Sequence, residues 1–527
     1  MSRLAILKRS SFLGVMVFLS RILGLLREML KSHFLGNSAL ADSFTIAFRI
    51  PNLLRRLFAE GNMTAAFVPT FVGYLRKGVP ARTRRFLSAT CSFGTFVFTA
   101  AVLLGIATAP LLVKLMAAEM STAYEQETVL LTRIMFPYLG FISLAALVQG
   151  VLNGHDRYGP SGFTPVLFNL CFIGAAVLLS GRMENPARAM AVGVLVGGAV
   201  QLLFQVPFFL RTGSRFRLWP IWKAVTHPGT RKVLALIAPT VLGLGAYQLN
   251  IVVSSRIATN TGVGIVSALE YSNRLLEVVL GIFIVSLGTV ILTELSRLAH
   301  AGDWDGFNRQ VRFALRLMAV LTVPVTVYTL LFHREIVTAV FRSGRFQDRA
   351  VDMTSSALFY HIIGLYFVAA NRILPIVFYA MRDTRTPTIA GIVSVTVNLI
   401  IAVLLAGPMA QRGIALAATV SAMAFTAVLV AAVFRLKQIN HRELIAGGGY
   451  AVKIAAASLP AAAAAYGLMP VLKEACQHLP TRFLSIGVPL AGTAIVFYLI
   501  IMLILLILRD RLLRDVGRRL RKKRGKK

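Results

Sequence analysis

The 527-residue chain carries 56 Lys and Arg against 21 Asp and Glu, a net charge of +35, yet 57% of it is hydrophobic. A mean hydropathy of +0.73 excludes a soluble globular domain. Cys91, Cys171 and Cys476 lie far apart with no CxxC or HExxH motif, so neither a disulfide framework nor a metal site is indicated.

Apolar runs long enough to cross a bilayer recur along the chain, near 10–32, 40–74, 86–113, 128–152, 162–180, 189–210, 233–255, 264–296, 311–332, 352–380, 388–406, 413–434, 449–472 and 484–508. The fold class they predict is an all-α integral membrane protein with about fourteen transmembrane helices. The first run, Phe12–Leu19, is followed by Arg21 rather than a small-residue cleavage site, so it reads as a span and not as a signal peptide. The second contains Pro51, Gly61 and Pro69 and is expected to bend or break. With a cytoplasmic N-terminus, inside segments hold about 33 Lys and Arg and outside segments about 11, as the positive-inside rule requires. Arg334, Arg342, Arg345 and Arg349 form the one outside group that weakens the pattern. Both termini are then cytoplasmic, and the basic tail 511–527 lies beside anionic headgroups. Topology and lipid contact thus account for the charge, and no nucleic-acid partner is expected.

About a dozen basic residues fall inside the spans, most of them Arg. A charge at mid-bilayer costs roughly 2.5–3.5 kcal/mol on insertion scales, so such groups face a wet cavity or a partner. In span one Arg21 and Glu28 share a helical face, and Arg27 projects elsewhere. In span two Asp42, Arg49 and Arg56 recur at sevens, Glu60 lies four beyond Arg56, and Asn52 and Arg55 sit nearby. In span eight Glu270, Arg274 and Glu277 fall at i, i+4 and i+7, beside Asn273. Arg372 is isolated in span ten. Intramembrane pairs (Arg21 with Glu28, Arg56 with Glu60, Arg274 with Glu270 or Glu277) account for the acids. The surplus of arginine suits an anionic guest, and its planar fork suits a diphosphate.

A faint duplication divides the chain. His155-Asp156-Arg157-Tyr158-Gly159-Pro160 matches Arg382-Asp383-Thr384-Arg385-Thr386-Pro387 in its basic-or-His, Asp and Pro positions, and Asn169-Leu170 and Asn398-Leu399 follow at similar depth. The overlong second and eighth spans are also six helices apart. Residues 1–225 and 226–440 therefore read as two six-helix lobes related by a pseudo-repeat, a pattern of transporter folds. Residues 441–510 read as an added helix pair for packing or a lipid chain, and 511–527 as a basic tail. Gly193 and Gly197 have the spacing of close helix packing. Asp303-Trp304-Asp305 has the form of a metal-holding glycosyltransferase motif, but it also suits a helix N-terminus. No catalytic set is visible.

The stretch Ser20-Arg21-Ile22-Leu23-Gly24-Leu25-Leu26-Arg27-Glu28, then Ala41-Asp42, Phe48-Arg49-Ile50-Pro51-Asn52-Leu53-Leu54-Arg55-Arg56-Leu57-Phe58-Ala59-Glu60-Gly61 and Ala66-Phe67-Val68-Pro69, resembles the MurJ (MviN) lipid II flippases. The likeness extends through Phe136-Pro137-Tyr138, Asn273-Arg274-Leu275-Leu276-Glu277, Leu287-Gly288-Thr289 and Phe378-Tyr379-Ala380. The resemblance implies a carrier in the bacterial cytoplasmic (inner) membrane. Its cargo would be lipid II, the undecaprenyl-diphosphate-linked disaccharide-pentapeptide, moved to the outer leaflet for peptidoglycan synthesis. By resemblance Arg21, Arg27, Arg55 and Arg274 line a cationic cavity and bind substrate. Glu28, Asp42, Arg49, Asn52, Arg56, Glu60, Glu277 and Arg372 then support or gate it. Membrane lipids and other cell-wall synthesis proteins are the further partners it suggests. Some members of that family carry Asp in place of Glu28 and of Asn273.

Alternating access between the lobes would expose the headgroup to each side in turn. No cofactor is expected. An inside-negative potential, worth about 2.3 kcal/mol per charge per 100 mV, would return a net-positive empty carrier, and coupling to sodium or protons is equally compatible. Two alternatives stay open: a flippase for another polyprenyl-diphosphate oligosaccharide of the O-antigen type, and a membrane glycosyltransferase using Asp303 and Asp305.

Overall fold

The structure, a computed structural model, describes residues 3–58, 66–117, 120–436 and 438–510. Glu60 and the tail 511–527 lie outside the described residues. Among the described residues nineteen helices follow one another: α1 (Arg3–Leu35), α2 (Ala39–Phe58), α3 (Val68–Arg76), α4 (Pro80–Ala107), α5 (Ala109–Met116), α6 (Thr122–Met135), α7 (Pro137–Gly154), α8 (Gly159–Leu179), α9 (Pro186–Leu210) and α10 (Ile221–Thr226). They continue with α11 (Pro228–Thr261), α12 (Ile265–His300), α13 (Trp304–Phe341), α14 (Asp348–Ile363), α15 (Leu365–Ala380), α16 (Arg385–Met409), α17 (Gln411–Val433), α18 (His441–Cys476) and α19 (Arg482–Ile507). Every one of the fourteen expected spans falls on one helix or on two consecutive ones. Among the described residues nine spans are long and apolar enough to cross a membrane, and α14 with α15, bent by 44°, makes a tenth. The other four expected spans coincide with α1, α2 with α3, α11, and α12.

Local chemistry sets the helix starts. Proline occupies the first turn of α3, α4, α5, α7, α8, α9 and α11, where its missing N–H costs no hydrogen bond. Asn185, Asp303, Asn440 and Thr481 cap α9, α13, α18 and α19 with side-chain oxygens. Asp303 Oδ1 accepts from Gly306 N at 2.8 Å, which gives the Asp-Trp-Asp motif its role as a helix cap.

Contacts divide the chain into two units, Met1–Ser267 with Ser343–Phe346, and Ala268–Arg342 with Gln347–Lys527. α10 and α11 pack on α4 in the first unit, so α11 groups with the preceding helices, although 226–440 reads in sequence as one lobe. In the second unit α18 and α19 pack on α13 around Tyr328, Phe332, Ile454, Ala461 and Phe497. The Tyr328 hydroxyl donates to Leu490 O at 2.6 Å. The C-terminal pair is thus bound into that unit's core.

In the first unit Gly193 and Gly197 of α9 face α8. A Cβ at Gly193 would lie 2.8 Å from Ala175 Cβ and 3.1 Å from Phe172 Cα; one at Gly197 would lie 2.8 Å from the Phe168 ring. Their lack of side chains lets α8 approach, as the spacing predicts. Gly193→Val is expected to cost about 1–3 kcal/mol through overpacking. Thermal unfolding of the purified protein checks this, with Gly174→Ala, where nothing lies within 4 Å, as the neutral comparison.

The two repeat loops share one turn. Asp156 N donates to Asn153 O at 3.0 Å and Arg157 N to Leu152 O at 2.9 Å; Arg382 N donates to Tyr379 O at 3.0 Å and Asp383 N to Phe378 O at 2.9 Å. Both are Schellman turns, with left-handed residues Asp156 (φ 58°) and Arg382 (φ 62°). The backbone therefore matches Asp156 to Arg382, one residue off the Asp-to-Asp register of the sequence. Asp383 instead caps α16, its Oδ1 accepting from Arg385 N at 2.9 Å and Thr386 N at 3.1 Å. The Thr386 hydroxyl, with these backbone donors, holds its carboxyl below the usual range.

Candidate functional site

Arg27 of α1 is held from several sides. Its Nη2 pairs with Glu28 Oε1 at 2.9 Å and its Nη1 donates to Asn169 Oδ1 of α8 at 3.2 Å. The guanidinium carbon also lies 5.7 Å from the Phe168 ring centre and 5.6 Å from that of Phe172, within cation–π range. Asn169 is fixed in turn, its Nδ2 donating to Ser20 O at 3.2 Å and Pro165 O at 3.0 Å. Gly193 and Gly197 make room for Phe172 and Phe168, so the α8–α9 packing seats both rings beside Arg27. Glu28 is buried at 3% exposure, and its second oxygen meets Lys31 Nζ at 2.7 Å.

This geometry corrects the expected pairing of Arg21 with Glu28. Glu28 meets Lys31 one turn on, where side chains three apart face each other, and also its chain neighbour Arg27, while Arg21 stands two turns away. Arg21 is half-buried and has no carboxylate within pairing distance among the described residues. Lys31, Asn169, Phe168 and Phe172 are site residues that sequence reasoning misses; of these only Asn169 carries a sequence signal, as a marker of the repeat. Asn169→Leu is expected to leave the fold intact but lower transport about tenfold, one lost hydrogen bond to a charged group being worth roughly 1.5 kcal/mol or more. Parallel flux and unfolding measurements separate the two effects.

Asp42, buried at 4% exposure, accepts from Gly264 N at 2.6 Å and Ser267 N at 2.7 Å, 222 and 225 residues away. These N–H groups belong to the start of α12, where unsatisfied donors and the helix dipole favour an anion. Gly264, at φ +84°, has no room for a Cβ, which would lie 2.9 Å from Asn37 O. Seven residues along α2, Arg49 Nη1 donates to Ser255 Oγ of α11 at 2.9 Å. Asp42 and Arg49 thus pin α2 to both sides of the α11–α12 corner, a tie made by residues that share one face of α2.

Arg55 Nε donates to Asn52 Oδ1 at 2.7 Å within α2. Among the described residues Arg56 has no ion-pair partner, and the pair expected with Glu60 lies outside them. In the second unit Arg274 meets both of its candidate acids, Glu277 at 2.7 Å and Glu270 at 3.4 Å. Asn273 beside it is exposed, as is Arg372 on α15. Arg334 pairs with Asp352 at 2.9 Å and Arg342 with Asp348 at 2.8 Å, which discharges half of the basic group that weakens the inside-outside asymmetry.

The order of helices defines a class first. The fold is similar to that of an inward-facing multidrug resistance transporter of the MATE family, itself of the MOP superfamily (TM-score 0.66, 12% identical, covering 79% of this chain and 94% of that one). It is similar also to lipid II flippase MurJ in an inward closed conformation (TM-score 0.78, 23% identical, covering 94% and 99%).

The chain belongs to the lipid II flippase MurJ family, whose model matches residues 31–489. A probable lipid II flippase MurJ of Treponema pallidum strain Nichols is 37% identical over 521 residues, 97% of each chain. The lipid II flippase MurJ of Burkholderia cenocepacia is 35% identical over 373 residues, 70% of this chain and 72% of that one. The chain is accordingly an integral membrane transporter and not an enzyme.

Proposed function

We propose that the protein moves lipid II from the inner to the outer leaflet of the bacterial cytoplasmic membrane by alternating access. Arg21, Arg27, Arg55 and Arg274 bind the diphosphate, and both chain termini are cytoplasmic. The single observation that carries the reading is the seating of Arg27: a guanidinium in an expected span, oriented by Glu28, Asn169 and two aromatic rings. Such preorganisation lowers the cost of binding an anion, because the side chain is already ordered. Arg21, half-buried on the same helix without a carboxylate among the described residues, adds charge that a diphosphate neutralises. Arg274, flanked by Glu270 and Glu277, is held in place by them and exchanges a carboxylate for the phosphate when substrate arrives. An inside-negative potential, worth about 2.3 kcal/mol per charge per 100 mV, would return a net-positive empty carrier, and coupling to sodium or protons is equally compatible.

Reconstitution of the pure protein with fluorescent lipid II, and with an O-antigen-type polyprenyl-diphosphate sugar as competitor, tests the assignment. Lipid II is expected to cross and the competitor to interfere weakly. Equal handling of both cargoes would favour the broader oligosaccharide flippase. Metal-dependent sugar transfer without lipid movement would overturn the transport reading.

A further inference from the structure

A cavity of about 220 Å³, lined by none of the residues assigned to lipid II, opens in the first unit where the α3–α4 turn meets the ends of α7 and α9. Thr83, Arg84, His155, Thr212, Ser214 and Arg215 supply its polar lining, and none of its twelve lining residues is acidic. Holding one water takes only about 10–15 Å³ of such space, so the cavity has room for a phosphate ester. Gly78 (φ +66°) and Gly213 (φ +73°) turn the chain at its rim, and a Cβ on either would meet nothing within 4 Å.

Two features of the sequence build this lining. Arg84, Ser88 and Ser92 fall at i, i+4 and i+8 on α4 and so share a face. Ser88 Oγ accepts from Arg217 N at 2.9 Å and Ser92 Oγ accepts from Trp219 N at 2.8 Å. The extended segment after α9 is thereby held along α4, which brings Arg215 to the same cavity as Arg84. His155 Nε2 and Ser214 Oγ, 3.1 Å apart, link the end of α7 to that segment.

The segment has the composition of a membrane interface. Leu218 and Trp222 are 69% and 66% exposed and Phe216 is exposed as well, interleaved with Arg215, Arg217 and Lys223. Exposed aromatic and aliphatic side chains alternating with basic ones mark the level of lipid headgroups. Sequence charge places these loops on the cytoplasmic side, where anionic headgroups lie. We propose that this cavity seats the phosphate of an anionic membrane phospholipid, gripped by Arg84 and Arg215, with its acyl chains running past Leu218 and Trp222. The site is distinct from the lipid II arginines and does not depend on their assignment.

Native mass spectrometry of the full-length protein, titrated with dioctanoyl phosphatidylglycerol, dioctanoyl phosphatidylcholine or inorganic phosphate, tests it. Phosphatidylglycerol is expected to bind at one saturable site, and Arg84→Gln with Arg215→Gln to weaken it at least tenfold. Arg85→Gln with Arg217→Gln removes the same charge from the same segments but not from the lining, and is expected to leave binding within twofold. Equal losses in the two double variants would reduce the effect to diffuse charge, and no loss in either would remove the site; each overturns the proposal. So would phosphatidylcholine matching phosphatidylglycerol, or inorganic phosphate binding where phosphatidylglycerol does not compete.

Discussion

Arg27→Ala is expected to abolish lipid II translocation in proteoliposomes, a fall of about a hundredfold or more, while the protein still inserts and purifies. A hydrogen bond to a charged group is worth roughly 1.5–3 kcal/mol, and a guanidinium donates two in parallel to a phosphate, so about 3–6 kcal/mol of substrate binding rides on this side chain. Arg27→Lys is the informative companion. An ammonium can meet Glu28 or Asn169 but cannot span both while presenting a fork, so partial activity is expected. Arg55→Ala and Arg274→Ala are expected to act in the same direction. Full activity in all three alanine variants would defeat the assignment of these cations to substrate.

Asp42→Ala is expected to damage the fold rather than the binding of cargo. It removes an anion that accepts two short backbone hydrogen bonds at the start of α12 and leaves Gly264 N and Ser267 N buried without that acceptor. At roughly 1.5–3 kcal/mol for each charged hydrogen bond, a loss of about 3–6 kcal/mol is expected. Asp42→Asn recovers half at most, since its amide offers one acceptor and turns a donor toward the second N–H. Thermal unfolding in detergent reads the difference. An Asp42→Asn protein as stable as the parent but inactive would instead place the carboxylate charge in transport.

How much of the molecule is legible in the sequence depends on the range of the interaction. Helix positions follow from apolar runs, because a bilayer leaves no alternative partner for the backbone. Arg274 with Glu270 and Glu277 is legible because i+3 and i+4 pairs meet within one helix. Arg21 with Glu28 fails for the complementary reason: seven residues share a face but stand about 10 Å apart along the axis at 1.5 Å per residue, and nearer cations win. Asn169 and Ser255 are invisible as partners, since the contacts of α1 with α8 and of α2 with α11 are decided by tertiary packing. Asp42 is marked by family resemblance, yet its role as a cap for a helix 222 residues on is a property of the fold. The repeat lies in the expected loops but one residue out of the expected register, because the Asp that caps α16 differs from the Asp that closes the turn after α7.

The grip of guanidinium on diphosphate is tested most directly by comparing binding of undecaprenyl diphosphate and undecaprenyl monophosphate to the parent protein and to Arg27→Ala. The parent is expected to prefer the diphosphate at least tenfold, and the variant to lose that preference while binding the monophosphate nearly as before. An unchanged preference in Arg27→Ala, or none in the parent, would contradict the account.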